Sequence, residues 1–530
     1  ISRLVDKTLA DERAHLIDKS KVPFEKKILT PHLANDVQII QNSREARDLA
    51  VFRDSYFAAT SGGLLQISDD GKPVRHFTVL DGLPESDLTC LAVYNDKLFI
   101  GTKTKGLVTF NGENFAKYTW PDRRQQAITL LLAADGELLI GTFNGGLLQF
   151  DGAKFIEINA ENERIAAVDC LLKDGPRLFV GTFNNGLHIY QNDTWTHFTT
   201  AEGLPSNRVV GLAKNDGKLF AATDFGAAVL EDQRFRSVAT LPSISAMSQR
   251  GNQVLVTKDD GEIYSFDAPL KKISENGGMQ NARLVSIGDK MWLLSDLGIF
   301  EVDGARIRPF AVGSENELKD NFVSAVAISG GDLWVGTFQS GIDVLSSGSR
   351  RIRHLETDDL REINFLEADG LKMRAATSSG IAEIGANLSI SNRLTKKDGL
   401  PSNSVTHFSG DTIATAKGLV FRADGKFHVL STVQGMPSNG VYTTLKADGK
   451  LYAGTLGGLV VIENGHVSRV FKDSNSNLNT NWVTALCIGA GRIFIGTYGG
   501  GVFELLPSGE VRAFEAETGK FVVNVNAMHS

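Results

Sequence analysis

Gly141–Phe155 reads GTFNGGLLQFDGAKF. Forty residues earlier, Gly101–Phe115 reads GTKTKGLVTFNGENF, and forty residues later Gly181–Trp195 reads GTFNNGLHIYQNDTW. The shared anchor is a small residue followed by Thr. It returns at Thr60, Thr102, Thr142, Thr182, Thr223, Thr257, Thr337, Thr377, Thr415, Thr455 and Thr497, with Ser295 filling the remaining slot. That makes twelve repeats with a mean spacing of about 40 residues. Short apolar runs and turns at this period indicate propeller blades, because helical repeats of similar length need long segments of period 3.6.

Each repeat reads as four strands. In the third, AITLLLAAD and ELLIGT flank an Asp135-Gly136 hairpin turn, and GLLQFD and KFIEIN flank Asp151-Gly152. The first two strands are apolar on both faces, and a strand with that pattern is buried on both sides. A blade sandwiched between two others meets this demand. The residue before the anchor Thr is Gly or Ala in most repeats, which implies that the next blade packs too close for a larger side chain. A second phrase joins one repeat to the next: DGLPESDL from 81, EGLPSNRV from 202, DGLPSNSV from 398 and QGMPSNGV from 434. Gly and Pro set its turn, and Ser and Asn serve the loop backbone.

These two phrases together resemble the two-component regulator propeller repeat, over residues 46 to 515. The resemblance implies an all-β array of about 12–13 four-stranded blades, commonly arranged as two successive propellers. It further implies the periplasmic sensor part of a hybrid histidine kinase, or a related exported protein standing alone. No kinase, receiver or DNA-binding segment follows the repeats, and the closing NVNAMHS reads as the first strand of a thirteenth blade. The expected division is an N-terminal extension over 1–45, a first propeller over 46–275 and a second over 276–530. The alternative is one large twelve-bladed ring. The extension contains a helical stretch, DKTLADERAHLIDKS, and VQIIQN at 37–42 offers a ring-closing edge, as does Phe521–Met528.

Composition narrows the function. The net charge of −7 and the absence of basic runs argue against a nucleic-acid partner. No apolar run reaches the ~18 residues of a membrane span. The three cysteines cannot all pair internally, and LTCLAV and VDCLLK place Cys90 and Cys170 inside apolar strands as small buried thiols. His76, His197 and His354 recur on the outer strand and read as exposed strand residues. His407 stands alone on a first strand. No HExxH, GxSxG or P-loop is present, and Asp69-Asp70-Gly71 and Asp259-Asp260-Gly261 lack full calcium-loop spacing. No cofactor or metal is expected.

The variable letters of the repeat mark the candidate site. Phe143, Phe183, Phe338 and Tyr498 follow the anchor Thr, and Asn144, Asn184 and Gln339 follow the three Phe residues. Aromatic rings beside amides at a channel mouth suit stacking on sugars and hydrogen bonding to hydroxyls. The same rings also suit packing between blades. The leading expectation is a non-catalytic, periplasmic or secreted sensor of a glycan or its fragments. The alternatives are a protein-interaction scaffold, with a homodimer among its forms, and a glycan-active enzyme. That enzyme would need two acids at set separation, and Asp169 is the clear strand-internal acid.

Overall fold

A computed structural model describes residues 21–31, 39–160, 163–266, 270–274, 278–311, 317–347, 352–423, 426–516 and 519–520. Among the described residues twelve antiparallel sheets follow one another along the chain, each built on four blade strands taken in sequence order. We number them blades 1–12. The third repeat shows the pattern: Ile128–Ala134, Glu137–Thr142, Leu147–Phe150 and Phe155–Ala160. Asp135 and Gly136 turn the first hairpin with φ of 51° and 77°, the left-handed conformation that a two-residue hairpin requires.

The anchor phrase is a hydrogen-bonded clamp. Thr142 is buried; its Oγ1 donates to the Gly146 carbonyl at 2.7 Å and accepts from the Gly145 N–H at 2.8 Å. The same donation recurs at Thr60, Thr102, Thr182, Thr337 and Thr497. The preceding glycine marks close approach of the next blade. A Cβ on Gly181 would lie 2.9 Å from Val209 Cγ1, and one on Gly336 would lie 2.4 Å from Ile363 Cγ2. Replacing Thr142 by Val keeps the shape but strands the buried Gly145 N–H and leaves the Gly146 carbonyl with only the Thr142 N–H, at 3.2 Å. We expect a loss of about 1–3 kcal/mol in chemical denaturation; a loss within error would show that the clamp contributes nothing. The joining phrase is a capped turn: Thr199 caps Thr200–Glu202, Glu202 bonds back, and Gly203 ends the turn at φ 100°.

The chain divides into two compact units, 1–317 and 318–530. The first holds blades 1–7, from Ala46–Phe52 to Arg306–Ala311. It is a closed ring, because blade 7 packs on blade 1. Leu49, Ala58 and Ile67 share a core with Trp292, Leu294 and Ile299, and Tyr56 meets Trp292 edge-on at 5.2 Å. The Ser43 N–H, just before blade 1, donates to Glu317 at 3.1 Å. The expected break at 275/276 is therefore corrected to 317/318: blade 7, at 283–311, has its partner in blade 1. The closed first ring also replaces the alternative of one twelve-bladed ring.

The ring closes with whole blades, and residues 39–42 form no strand. The described part of the extension instead adds outer strands. Lys21–Val22 pairs with Phe155–Ala160 of blade 3, and Glu25–Ile28 pairs with Phe115–Thr119 of blade 2. The helical reading of 6–20 and the closing strand at 521–528 lie outside the described residues.

The second unit holds blades 8–12, from Val323–Ser329 to Val511–Ala513. Its first inner strand differs from the others. Val323 is 45% exposed and Val326 62%, whereas their counterparts in blade 2, Leu88 and Leu91, are 0% and 5% exposed. In blade 2 those side chains face the preceding blade.

Candidate functional site

The inner strands of blades 1–6 share one irregularity. Register slips by a residue between the first and third positions, as between Leu88 and Cys90 or Val168 and Cys170. A bulge of this kind re-aims one side chain. The bulged residues are Arg47, Thr89, Thr129, Asp169, Val210 and Ser245. In blade 7 the strand begins at Arg283 without a bulge. All seven residues, one from each blade, line a single cavity of about 670 Å³. Phe143, Lys103, Arg208 and Asp259 also line it. The size is that of a small-ligand pocket.

Several bulged side chains staple one blade to the next by donating to a carbonyl at the start of its inner strand. Thr129 Oγ1 reaches Val168 O at 2.6 Å, Arg47 Nη1 reaches Leu88 O at 3.1 Å, and Ser245 Oγ reaches Ala282 O. The second unit repeats the device: Asn364 Nδ2 reaches Val405 O at 2.7 Å, and Thr406 Oγ1 reaches Val441 O at 2.6 Å. Thr89, whose hydroxyl meets Cys90 Sγ at 3.5 Å, Asp169 and Val210 do not staple. In blade 4 the neighbouring Cys170 thiol donates to Val209 O at 3.3 Å instead, which leaves the Asp169 carboxylate to Arg208 Nε at 3.4 Å. Burial raises the Asp169 carboxyl against the pull of Arg208, and Asp224 adds to the rise.

Phe143 and Phe183 stand on the rim above these residues, 47% and 44% exposed. Backbone bonds join them through one residue: the Ala167 N–H donates to Phe143 O at 2.7 Å, and the Phe183 N–H donates to Ala167 O at 2.8 Å. The Arg208 guanidinium lies over the Phe183 ring, 4.4 Å from its centroid, while pairing with Asp169. One arginine thus links an exposed ring to the channel. Asn144 and Asn184 are exposed beside the rings.

Of the expected site residues, Phe143, Asn144, Phe183 and Asn184 come together on adjacent blades of the first unit. Phe338 and Gln339 lie on blade 8 and Tyr498 on blade 12 of the second unit, all exposed. Tyr498 stacks on Trp482 at 4.2 Å, and Trp482 meets Tyr442 at 5.7 Å. Tyr442 occupies the bulge position of its blade. The sequence reading missed Trp482, Tyr442 and the cavity-lining set. The signal for the bulge was a single polar residue in a strand apolar on both faces, as in LTCLAV, ITLLLA and VDCLLK.

The remaining candidates are structural. His76 and His197 hold rim-loop carbonyls of Gly62 and Asn185 through Nε2, and His354 pairs with buried Asp343 at 2.8 Å. His76 and His354 are half-buried rather than exposed. Burial pushes the Cys90 thiol up to about 12 and that of Cys170 well above its ordinary value, so both resist ionisation. Among the described residues there is no group of three or more His, Cys, Asp or Glu side chains placed to hold a metal. No helix among them is long and apolar enough to cross a membrane.

No family model and no curated protein matches the sequence. In fold the chain is similar to PorZ of Porphyromonas gingivalis, named as an essential bacterial surface component of the type-IX secretion system. That match has 11% identity and a TM-score of 0.60, over 92% of this chain and 77% of that one. It is also similar to the extracellular domain of BT3049 from B. thetaiotaomicron, named as part of a hybrid two component system. Here identity is 20% and the TM-score 0.41, over 95% of this chain and 69% of that one. A third likeness is to virginiamycin B lyase from Staphylococcus aureus, at 13% identity and a TM-score of 0.40, over 52% and 96%. At 11% identity the likeness to PorZ shows the fold alone.

Proposed function

We propose that this chain is an exported, non-catalytic sensing propeller that binds a glycan or a glycan fragment at the channel mouth of its first unit. The observation that supports the reading is the exposed Phe143–Phe183 pair above a cavity to which every blade contributes one side chain. Exposed rings fixed by backbone bonds offer flat apolar faces without the entropy cost of ordering a loop. Hydroxyls and carboxylates on the wall offer directional partners to a polar ligand. Binding would bias a conformational equilibrium through its differential affinity for two states.

A thermal-shift screen of the purified chain against oligosaccharides tests this. A ligand at 100 times its Kd stabilises the folded state by about 2.7 kcal/mol. Phe143→Ala and Phe183→Ala are each expected to weaken binding about tenfold, a change of about 1.4 kcal/mol, while leaving the melting curve of the free protein close to wild type. No shift from any glycan would sink the reading and direct attention to protein partners. Glycan cleavage during the screen would replace sensing by catalysis, with Asp169 as the first residue to test.

A further inference from the structure

Four cations line the channel cavity, and three of them are committed. Arg47 is tied to Glu45 at 3.1 Å, to Asp87 and to Leu88 O. Lys103 pairs with Asp87 at 2.9 Å. Arg208 pairs with Asp169 and covers Phe183. Arg283 is different. Its guanidinium makes no hydrogen bond or ion pair among the described residues, and its Nε is buried without a partner. Asp48 and Asp169 act on it only at longer range. Asp48 is itself occupied, accepting from the Leu49 and Leu91 N–H groups at 2.9 and 2.8 Å.

A guanidinium is costly to hold in a partly buried wall without a direct partner, because its N–H groups lose water and gain nothing. Blades 2, 3 and 6 place only the small hydroxyls of Thr89, Thr129 and Ser245 on this wall, and the charged residues from blades 1 and 4, Arg47 and Asp169, are each paired. Among the described residues Arg283 of blade 7 has no such partner, and it presents a planar fork suited to a carboxylate.

We infer that the channel cavity takes an acidic sugar, with the Arg283 guanidinium receiving a uronate carboxylate and the Phe143–Phe183 rim taking the sugar faces. The inference rests on the glycan reading and adds the chemical class of the ligand. Asp169, already paired to Arg208, is left to accept from sugar hydroxyls. The carboxylate would supply Arg283 with the direct partner that the protein does not.

The test is titration calorimetry of the full chain with galacturonate and glucuronate oligosaccharides and with their methyl esters, which keep the sugar and remove the charge. The acids are expected to bind about 10- to 100-fold more tightly than the esters, the range of a charge-assisted fork. Arg283→Gln should erase that difference, so that acids and esters bind alike. Arg283→Lys keeps the charge that balances Asp48, guards against a folding defect, and should restore only part of the difference. Acids and esters binding alike, or a difference that survives Arg283→Gln, would overturn the inference while the glycan reading stands. Free glucuronate binding through Arg283 but not through Phe143 would keep the carboxylate site and remove the stacking rim. No binding by acid or ester would overturn the inference, and the oligosaccharide screen then decides the glycan reading.

Discussion

Trp292→Ala is expected to cost the first unit about 3–5 kcal/mol, the usual range for a fully buried tryptophan, and to lower its melting temperature by roughly 10 °C. Trp292 is fully buried where blade 7 meets blade 1, 5.2 Å from Tyr56 and 4.6 Å from Phe310. Its removal leaves a cavity in the contact that closes the ring. Its indole Nε1 is buried without an acceptor. Trp292→Phe removes that orphaned donor while keeping most of the apolar surface, so it should cost much less than the alanine variant. Calorimetric melts of the three proteins decide the matter. An alanine variant within about 1 kcal/mol of wild type would mean that blade 7 does not hold the ring.

The second large effect is acid destabilisation between pH 6.5 and 4. Burial holds His407 down to about 4, and burial with the charge of stacked His197 does the same to His188. Both folded values lie below the unfolded value near 6.5, so below that pH the unfolded chain binds more protons. Each histidine's contribution is complete above pH 6.5 and is lost as pH falls through about 4. The upper size is about 3 kcal/mol for each, at 1.36 kcal/mol per pKa unit. His407 packs against Phe365 at 4.1 Å, so His407→Phe removes the titration in an aromatic setting. Urea melts at pH 7, 5.5 and 4 should show the variant losing less stability on acidification than wild type. Parallel curves for the two proteins would refute the assignment. His354 has the opposite sign: burial lowers it, but its hydrogen bond and charge contact with Asp343 leave it raised, so its contribution is lost as pH rises.

Much of the fold was legible because each blade is specified locally. The Thr clamp closes within four residues, Asp135-Gly136 turns its hairpin alone, and the paired apolar faces of LLIG or LFVG state the burial. The grouping of blades was not local. Tyr56 and Trp292 are 236 positions apart, and nothing near either residue says that they meet. The expected division at 275/276 therefore fell where the structure has a ring still to close. The rim was half legible. Phe143 and Phe183 stand out as variable letters in a fixed phrase, but the cavity beneath them depends on a one-residue bulge that leaves the spacing of the repeat unchanged. Arg283 carries no bulge, so even the polar-in-apolar pattern does not reveal it.

Closure gives the two units different failure routes. In the first, every blade has two neighbours, so no blade leaves without breaking two interfaces at once, and the ring has no terminal member. In the second, within the described residues, blade 8 has its inner strand packed on one side only, with Val323 and Val326 open. Repeat arrays gain stability chiefly from nearest-neighbour contacts. Among the described residues, blade 8 can therefore leave by breaking one interface, while a blade of the ring must break two.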